Sequence, residues 1–495
     1  MPGTARGQNH QKCPPVVPGT GKMAPEKDTT LGGRNMFNWK RYFSFLLVLL
    51  LLSNVTAVSA AEPIDEIRDL IKEHYIEDVP ASVLAKRTAK EITQHLDPYS
   101  VYMTAKEFAQ FTNGIEQKLF GVGIVLDEDV KGIKIISVIP NGPADRAGLK
   151  AGDIITNVNG TSLVGQSVQK AVSLISGEPN TTVTLTYISS KTNESITKTL
   201  TREHIQLPNV EYEMLGGGIG YIRLNSFSQD ASKDITTAIG KLTDAKGWIF
   251  DLRNNGGGYV SSAQEIAGLF PNVKNAFQLR YKSDKPEIYA AVPQKIKFTN
   301  PTHILINEYS ASASEMVAVS VKEQKGATLY GQTSFGKGSM QSLFPLSDNS
   351  LLKLTTAHFF SPKGIPVHEV GVTPNIATPE GEELLTSHRD QLIAKYKTYQ
   401  KLPTLKDVPV TKTFTVEMNM DMDWKALNPQ DVQLIQLSGK ELEVDVEVAD
   451  NRKMTITPKA NLQAKGKYML IIHPKWASAD AKQMQNGVYV EVSVQ

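Results

Sequence analysis

The sequence contains almost no cysteine, and this scarcity excludes several kinds of site. Cys13 is the single cysteine among 495 residues, so a disulfide within one chain and a zinc site built from thiolates are both excluded. Cys13 lies in a tail rich in glycine, proline and polar residues, where we do not expect a nucleophile. The nine histidines are scattered and form no H-E-x-x-H motif. We therefore expect no metal centre and no cofactor.

An excess of charge of either sign is absent as well. The 53 basic and 51 acidic residues leave a net charge of +2. No basic run with interleaved aromatic residues occurs, and we expect no nucleic-acid partner. The length is enough for about two to four domains with cores of their own.

One long hydrophobic run is present, near the N-terminus. Residues 42–60 hold the stretch FSFLLVLLLL, which follows Lys40 and Arg41 and leads into the small residues SNVTAVSAAEP. This pattern indicates a secretory signal peptide cleaved after Ala60 or Ala61. The run approaches membrane-spanning length, so an uncleaved anchor is the alternative. Both interpretations place the rest of the chain outside the cytoplasm, secreted or anchored to the cell membrane.

Residues 1–35 are polar and lack a periodic apolar pattern, which is unusual ahead of a signal peptide. One hypothesis is that the true initiator is Met36 or Met23. Residues 1–61 are interpreted as a cytoplasmic tail followed by the signal peptide or anchor.

The rest of the chain is typical of a mixed α/β multidomain protein. Four patterns follow one another along it: an apolar period of 3.6 residues, strands separated by glycine and proline, alternating strands and helices, and strands about ten residues apart. The predicted segments are a helical region at 62–114, a small β-rich domain at 115–203, an α/β core at 204–380, a helix and linker at 381–404, and a β-sandwich at 405–495.

Three motifs in the α/β core carry residues suited to acyl transfer. The strand HILINE leads into SASASEMVAV, which places Ser312 at a helix N-terminus, where free N–H groups can stabilise an oxyanion. Ser312 and Glu315 also match a capping box, a purely structural interpretation. The second motif, NNGGG at residues 254–258, gives backbone amides close access to a ligand, or simply forms a tight turn.

The third motif, TSFGKGSMQ, offers a base. Lys337 lies between two glycines, and a neutral lysine can take a proton from serine. Neutrality near pH 7 needs a fall of about three units from the ordinary pKa of about 10.4. Burial beside Phe335 is expected to supply it, and Gln341 is placed to bond the amine. Taken alone, the motif is a weak signal, because most lysines of this kind are surface residues.

The order DLRNNGGG, SASASE and FGKGSMQ closely resembles the C-terminal processing peptidases, also called tail-specific proteases. LDPYSVYM, FGVGIVL and GPADRAGLKAGDIITNVNG add to the resemblance, which covers roughly residues 62–378. It implies a serine endopeptidase with a crotonase-like sheet-and-helix core. The partners that it implies are protein or peptide substrates with apolar C-termini, cleaved near the C-terminus.

The resemblance also implies particular roles. Ser312 matches the nucleophile, Lys337 the general base, and Gln341 the residue that positions the base. The backbone amides of Ala313 and Gly257 match the oxyanion donors, with either neighbouring glycine as the alternative.

Residues 115–203 resemble a PDZ domain, which implies recognition of an apolar C-terminal tail, or else a lid or scaffold. Arg146 is a candidate for relaying tail binding to the core, or an ordinary solvated charge. The loop that matches the carboxylate-binding position consists of Phe120, Gly121, Val122, Gly123 and Ile124.

Further partners follow from the other segments. The helical region suggests a homodimer, as in the family, or plain packing. Residues 405–495 loosely resemble bacterial Ig-like domains and suggest contact with cell wall, membrane, partner or substrate. A non-catalytic PDZ adaptor and an acyl-CoA enzyme of the crotonase type are the competing interpretations. The intact motif set opposes the first, and the export signal and PDZ domain oppose the second.

Overall fold

The structure is a computed structural model that describes residues 62–282, 285–299 and 301–495. Cys13, both candidate initiators and the predicted signal peptide or anchor at 42–60 lie outside these residues. Within the described ranges, no helix combines the length and the apolar character needed to cross a bilayer.

The N-terminal region is helical, as predicted. Two short helices follow the first one, and Thr88 caps the start of the second of them. The Thr88 side chain accepts a hydrogen bond from the amide of Glu91, and the Glu91 carboxylate accepts one from the Thr88 amide. The elements are α1 (Ile64–His74), α2 (Ala81–Leu84), α3 (Ala89–Thr93), β1 (Val101–Met103) and α4 (Ala105–Ile115).

The next segment is a six-stranded antiparallel sheet with two helices. Its strand order is β3-β4-β5-β7-β8, with β6 on β5, while β2 and β9 form a separate pair where the chain enters and leaves the segment. The elements are β2 (Lys118–Gly121), β3 (Ile124–Asp129), β4 (Gly132–Val138), α5 (Pro143–Arg146), β5 (Ile154–Val158), β6 (Thr161–Ser162), α6 (Val168–Ile175), β7 (Thr182–Ile188), β8 (Ser195–Thr201) and β9 (Glu203–Gln206).

The α/β core alternates strands and helices, in agreement with the sequence pattern. Its elements are β10 (Val210–Leu215), β11 (Ile219–Leu224), α7 (Ala231–Lys241), β12 (Gly247–Asp251), α8 (Val260–Ala267), β13 (Asn275–Tyr281), β14 (Pro286–Ala290), β15 (Thr302–Ile306), α9 (Ala313–Glu323), β16 (Thr328–Gly331), β17 (Ser339–Pro345), β18 (Leu351–Phe360) and β19 (Ile376–Ala377).

The larger sheet of the core determines where the motifs meet. Its order is β10-β11-β12-β15-β16-β19, and β11 through β19 run parallel. Every residue of β12 is buried, as expected for a parallel strand covered by helices on both faces. Because β12 and β15 are parallel neighbours, the segments that follow them lie at the same edge. We call these segments the glycine turn (residues 254–258) and the serine turn (residues 310–314).

A second sheet connects the N-terminal helices to the core. Its order is β1-β18-β13-β14, with β17 on β18, so the segment 62–114 contributes a strand to the core sheet. Val101 of β1 is in register with Lys353 of β18. Ile67 and Ile71 of α1 pack in one apolar cluster with Leu352 from β18. The N-terminal region is thereby fixed against the core along a strand and an apolar face.

The C-terminal segment is all-β, as predicted, and consists of two sheets. The orders are β20-β28-β27-β23-β24, with β21 on β28, and β22-β26-β25. The elements are α10 (Glu383–Lys395), β20 (Gln400–Lys401), β21 (Leu405–Val408), β22 (Phe414–Glu417), two short 3-10 turns (Trp424–Ala426 and Pro429–Asp431), β23 (Val432–Gln436), β24 (Glu441–Leu442), β25 (Val444–Val448), β26 (Lys453–Pro458), β27 (Lys467–Ile472) and β28 (Val488–Val494). The mixed α/β, multidomain prediction is confirmed.

Helix α10 packs on the core and is more than a linker. Leu392 is fully buried, and the Gln391 side-chain amide donates to the carbonyl of Trp248 at 2.6 Å. Glu383 at the start of the helix pairs with Arg253 at 2.8 Å, and their side chains are only 2% and 16% exposed. Arg253 directly precedes the glycine turn, so its pair with Glu383 links α10 to that turn.

Substitution of Glu383 by Gln is expected to lower stability markedly. The change removes one of the two carboxylates that pair with the buried Arg253; Asp251 remains as the other at 2.6 Å, so we expect a cost of about 2 kcal/mol. Glu443→Gln is the control: Glu443 pairs with Lys459 at the surface, and its loss is expected to cost less than about 1 kcal/mol. Urea unfolding monitored by tryptophan fluorescence measures both. Equal effects in the two variants would contradict a supporting role for the buried pair.

Candidate active site

Ser312 occupies a strained backbone conformation at the N-terminus of α9. Its φ and ψ are 57° and −113°, a combination that non-glycine residues rarely adopt. Such strain persists only where the surroundings hold it in place. The two flanking serines provide this support: the Ser310 hydroxyl donates to the carbonyl of Leu252 at 2.8 Å, and the Ser314 hydroxyl donates to that of Asn255 at 2.9 Å. Both flanking serines are fully buried.

The glycine turn lies against the serine turn so closely that a side chain does not fit. A Cβ added to Gly257 would lie 2.9 Å from Ser312 Cβ and 3.0 Å from the Ala313 amide nitrogen, and Gly257 has a φ of 103°. Both the space and the backbone conformation therefore require glycine at this position.

The choice of Gly257 as an oxyanion donor needs correction. Its amide already donates to Asn255 Oδ1 at 2.9 Å. Among the described residues, the amides of Gly256, Gly258 and Ala313 donate to no protein acceptor. The neighbouring glycines, given as alternatives from the sequence, are thus the better donors beside Ala313.

Lys337 is largely enclosed, and its pKa is lowered to about 8. Burial is the main cause, and the positive charge of Lys353 adds to it, while Asp97 and Glu315 act in the opposite direction. The Lys337 amine lies 4.6 Å from the centroid of the Tyr99 ring. The structure thus provides a lysine whose neutral form is accessible near physiological pH.

Two expectations about the neighbours of Lys337 are wrong. Phe335 is 57% exposed and does not bury the amine; Tyr99, from the turn before β1, lies against it instead. Gln341 makes no hydrogen bond to Lys337, because its side-chain amide donates to Ser339 and Thr355 at 3.0 and 3.2 Å.

Glu315 connects the serine turn to the loop that carries Lys337, residues 333–339. One carboxylate oxygen accepts hydrogen bonds from the amides of Ser312, at 2.8 Å, and Lys337, at 2.9 Å. The other accepts from the Ser334 hydroxyl and the Gly336 amide, each at 2.6 Å. The capping-box interpretation from the sequence accounts for only the first of these bonds. Glu315 is fully buried, and burial raises its pKa.

Ser312, Lys337 and Gln341 line a single cavity of about 450 Å³, together with residues 256–258 of the glycine turn. In the described part of the chain, no hydrogen bond joins Ser312 Oγ to Lys337 Nζ. Catalytic hydrogen bonds are often long in an unliganded site and shorten when substrate binds. Among the described residues, no cluster of three or more histidine, cysteine or carboxylate side chains could hold a metal ion.

The predicted tail-binding residues lie elsewhere and do not line this cavity. The amides of Val122 and Gly123 donate to no acceptor among the described residues, and Gly123 has a φ of 78°. The Val122 side chain is buried in the apolar core of the segment 115–203. Phe120 belongs to β2, and its ring centroid lies 5.5 Å from that of His204. Val122 can therefore contact a ligand through its backbone but not through its side chain.

Arg146, at the end of α5, joins this helix to β9. The guanidinium pairs with Glu203 of β9 and also donates to the carbonyl of Asn141 at 2.5 Å.

Three residues of the site were missed from the sequence. Phe111 of α4 and Lys353 of β18 line the cavity, and Tyr99 from the turn before β1 contacts the Lys337 amine. Tertiary pairing brings all three residues there. The motif LDPYSVYM indicated that its region mattered, but no local signal identified Tyr99 as a neighbour of the lysine.

Substitution of Gly257 by Ala is expected to destabilise the protein and displace the serine turn. The positive φ alone costs a β-carbon-bearing residue about 1–3 kcal/mol, to which the contact with Ser312 adds. Gly240→Ala, on the exposed side of α7 with open space around the new methyl group, is expected to stabilise by up to about 1 kcal/mol. Urea unfolding of both variants checks the difference in sign. A neutral Gly257→Ala would refute the close approach.

Comparison with known proteins identifies relatives of two segments of the chain. The profile of Peptidase family S41 matches residues 218–378, and that of the PDZ domain matches residues 134–188. Among solved structures, the photosystem II D1 C-terminal processing protease is 25% identical, with a TM-score of 0.42, over 64% of this chain and 92% of that protein.

Alignments with curated relatives cover about two thirds or more of this chain and of each relative. The carboxy-terminal processing protease CtpA of Bacillus subtilis is 34% identical over 65% of this chain and 69% of its own length. A probable CtpA-like serine protease of Staphylococcus epidermidis is 31% identical over 76% of this chain and 79% of its own. The chain therefore belongs to the carboxy-terminal processing proteases of peptidase family S41 and carries a PDZ domain.

Proposed function

We propose that the protein is an exported endopeptidase that cleaves proteins near their C-terminus through a Ser312–Lys337 dyad. The observation that carries this proposal is the shared cavity, in which a strained serine at a helix N-terminus faces a lysine with a pKa of about 8. Family membership identifies the reaction as peptide hydrolysis. The proposed dyad names the nucleophile, the Ser312 hydroxyl oxygen, and the base, the Lys337 amine.

The proposed reaction passes through an acyl-enzyme. Neutral Lys337 takes the proton of the Ser312 hydroxyl, and the serine oxygen attacks the substrate carbonyl. Lys337 then gives the proton to the departing amine. In the second half of the reaction, neutral Lys337 takes a proton from water, the water oxygen attacks the acyl carbonyl, and Lys337 returns the proton to the departing Ser312 oxygen. The amide of Ala313 and a free amide of the glycine turn, from Gly256 or Gly258, stabilise the negative charge on the carbonyl oxygen.

Gln341 is proposed to act on the base indirectly. Its side chain bonds Ser339 and Thr355, and these contacts hold the strand that follows Lys337 at the cavity wall.

Replacement of Lys337 by Ala is expected to reduce kcat/KM by about 10³-fold while the fold survives. Lys337→Arg is also expected to fail, because arginine does not deprotonate. In the unaltered protein, kcat/KM should fall about tenfold per unit below pH 8 and level off above it, since only the neutral amine accepts a proton. Peptide cleavage followed by mass spectrometry across pH gives all three results.

The control for these variants is Lys241→Ala, at the exposed end of α7, which should leave cleavage unchanged. The acyl group should be found on Ser312 after rapid acid quench of a reaction with a slow substrate. Retained cleavage in purified Lys337→Ala protein, or an acyl group on another residue, would refute the dyad.

The PDZ domain is proposed to bind the apolar C-terminal tail of the substrate. The free amides of Val122 and Gly123 suit a terminal carboxylate, and β3, which begins at Ile124, suits a peptide added as a further strand. Arg146, through its pair with Glu203, is proposed to transmit tail binding to the protease core.

Substitution of Ile124 by Asp is expected to raise KM by at least about tenfold for substrates with an apolar free C-terminus, because it repels the terminal carboxylate. Val130→Asp is the matched control: Val130 is 90% exposed in the turn after β3, and the same new charge there should change little. A substrate with an amidated C-terminus should lose the difference between the variants. Unchanged KM in Ile124→Asp would contradict tail binding by this loop.

The remaining parts of the proposal concern location and assembly. Residues 42–60 are proposed to direct export, with the enzyme secreted or held at the cell membrane. The helical region 62–114 is proposed to support a homodimer, and the C-terminal sandwich to contact cell wall, membrane, partner or substrate.

A further inference from the structure

A second lysine lines the active-site cavity at a fixed position. Lys353 lies in β18, where its backbone is in register with Val101 of β1 on one side and Leu343 of β17 on the other. It borders the same cavity as Ser312 and Lys337. Because a strand on each side holds its backbone, the direction of the Lys353 side chain is set by the sheet.

Lys353 has no ion-pair partner among the described residues. Its amine lies 4.8 Å from the centroid of the Phe111 ring, and burial lowers its pKa. The carboxylate whose charge acts on it, Asp97, already accepts hydrogen bonds from the Ser100 hydroxyl at 2.5 Å and the Thr355 hydroxyl at 3.0 Å. An enclosed cation without a direct partner is unfavourable for stability, so a functional reason for its presence is expected.

Two ammonium groups in one enclosed cavity disfavour each other's protonated forms. A neighbouring cation is one of the recognised ways to activate a lysine. We propose that Lys353 is a positioning residue that acts through its charge, keeping Lys337 unprotonated and ready to accept the serine proton. The proposal rests on the assignment of Lys337 as the general base.

The charges around Lys337 support this role. The groups that act on it come from three directions: Asp97 from the turn before β1, Glu315 from α9, and Lys353 from β18. Both carboxylates favour the protonated amine, and Lys353 alone among these charges opposes them. After burial, Lys353 is the largest cause of the lowered pKa of Lys337.

The alternative use of an unpaired cation in a substrate cavity is to bind a carboxylate of the substrate. That role predicts a change in KM that is confined to acidic substrates. The electrostatic role predicts a pH-dependent change that is the same for acidic and neutral substrates. The two are therefore separable by experiment.

The test compares the full-length protein with Lys353→Met, which removes the charge and keeps the length of the side chain, and Lys353→Arg, which keeps the charge. Cleavage of two peptides, one with and one without an acidic residue beside the cleaved bond, is measured between about pH 6 and pH 10. Lys353→Met is expected to shift the rising limb of kcat/KM to higher pH by about one unit, a tenfold loss at neutral pH that disappears on the alkaline plateau. Lys353→Arg is expected to follow the unaltered protein.

Several results would overturn the proposal. These are a Lys353→Met pH profile that overlays that of the unaltered protein, a loss of the same size at every pH, or a KM effect seen only with the acidic peptide. If Lys353→Met does not fold, Lys353→Gln replaces it with the same expectation. Lys337→Ala separates failure of this inference from failure of the dyad: an inactive Lys337→Ala with an unshifted Lys353→Met profile refutes only the role of Lys353.

Discussion

The arrangement of the active site depends on the buried carboxylate of Glu315. Its two oxygens accept four hydrogen bonds, from the amides of Ser312, Gly336 and Lys337 and from the Ser334 hydroxyl. One side chain thus fixes the backbone on both sides of the proposed dyad. Loss of the negative charge would leave several buried donors without a strong acceptor, and both turns would relax together. Burial raises the pKa of Glu315, and the hydrogen bonds that it accepts oppose that rise because they favour the ionised form.

A second set of contacts holds the serine turn from the opposite side. Parallel pairing of β12 with β15 brings the glycine turn beside the serine turn, and Asn255 ties them together. Its carbonyl accepts the Ser314 hydroxyl at 2.9 Å and the Ala311 amide at 3.0 Å, while its side chain accepts the Gly257 amide at 2.9 Å. The positive φ of Ser312 is therefore maintained between two supports. The alternation of serines in the motif follows from this geometry: the outer two are buried and bonded to the glycine turn or its strand, and only the middle one faces the cavity.

Much of this could be predicted from the sequence, because the information is local. Strand–turn–helix punctuation located β12, β15 and α9, and the order of the motifs identified the family. The errors concern contacts between distant segments. Phe335 is next to Lys337 in sequence yet points to solvent, whereas Tyr99 reaches the amine through the pairing of β1 with β18. Gln341 was correctly placed at the cavity but not with its partners, because Thr355 arrives from the neighbouring strand. Periodicity carries no information on which side chains meet across a sheet.

The electrostatics of Lys337 show why the distant contacts matter for the proposed chemistry. Burial alone favours the neutral amine, but the turns also require Glu315, whose charge favours the protonated form. Asp97 adds to that tendency. Its carboxylate also has a structural role, because it accepts hydrogen bonds from the amides of Tyr99 and Ser100 and from the Thr355 hydroxyl. The two carboxylates that build the site thus work against its base. A cation placed on β18 offsets them without disturbing either network, which explains why an enclosed lysine without an ion-pair partner occupies the wall of the cavity.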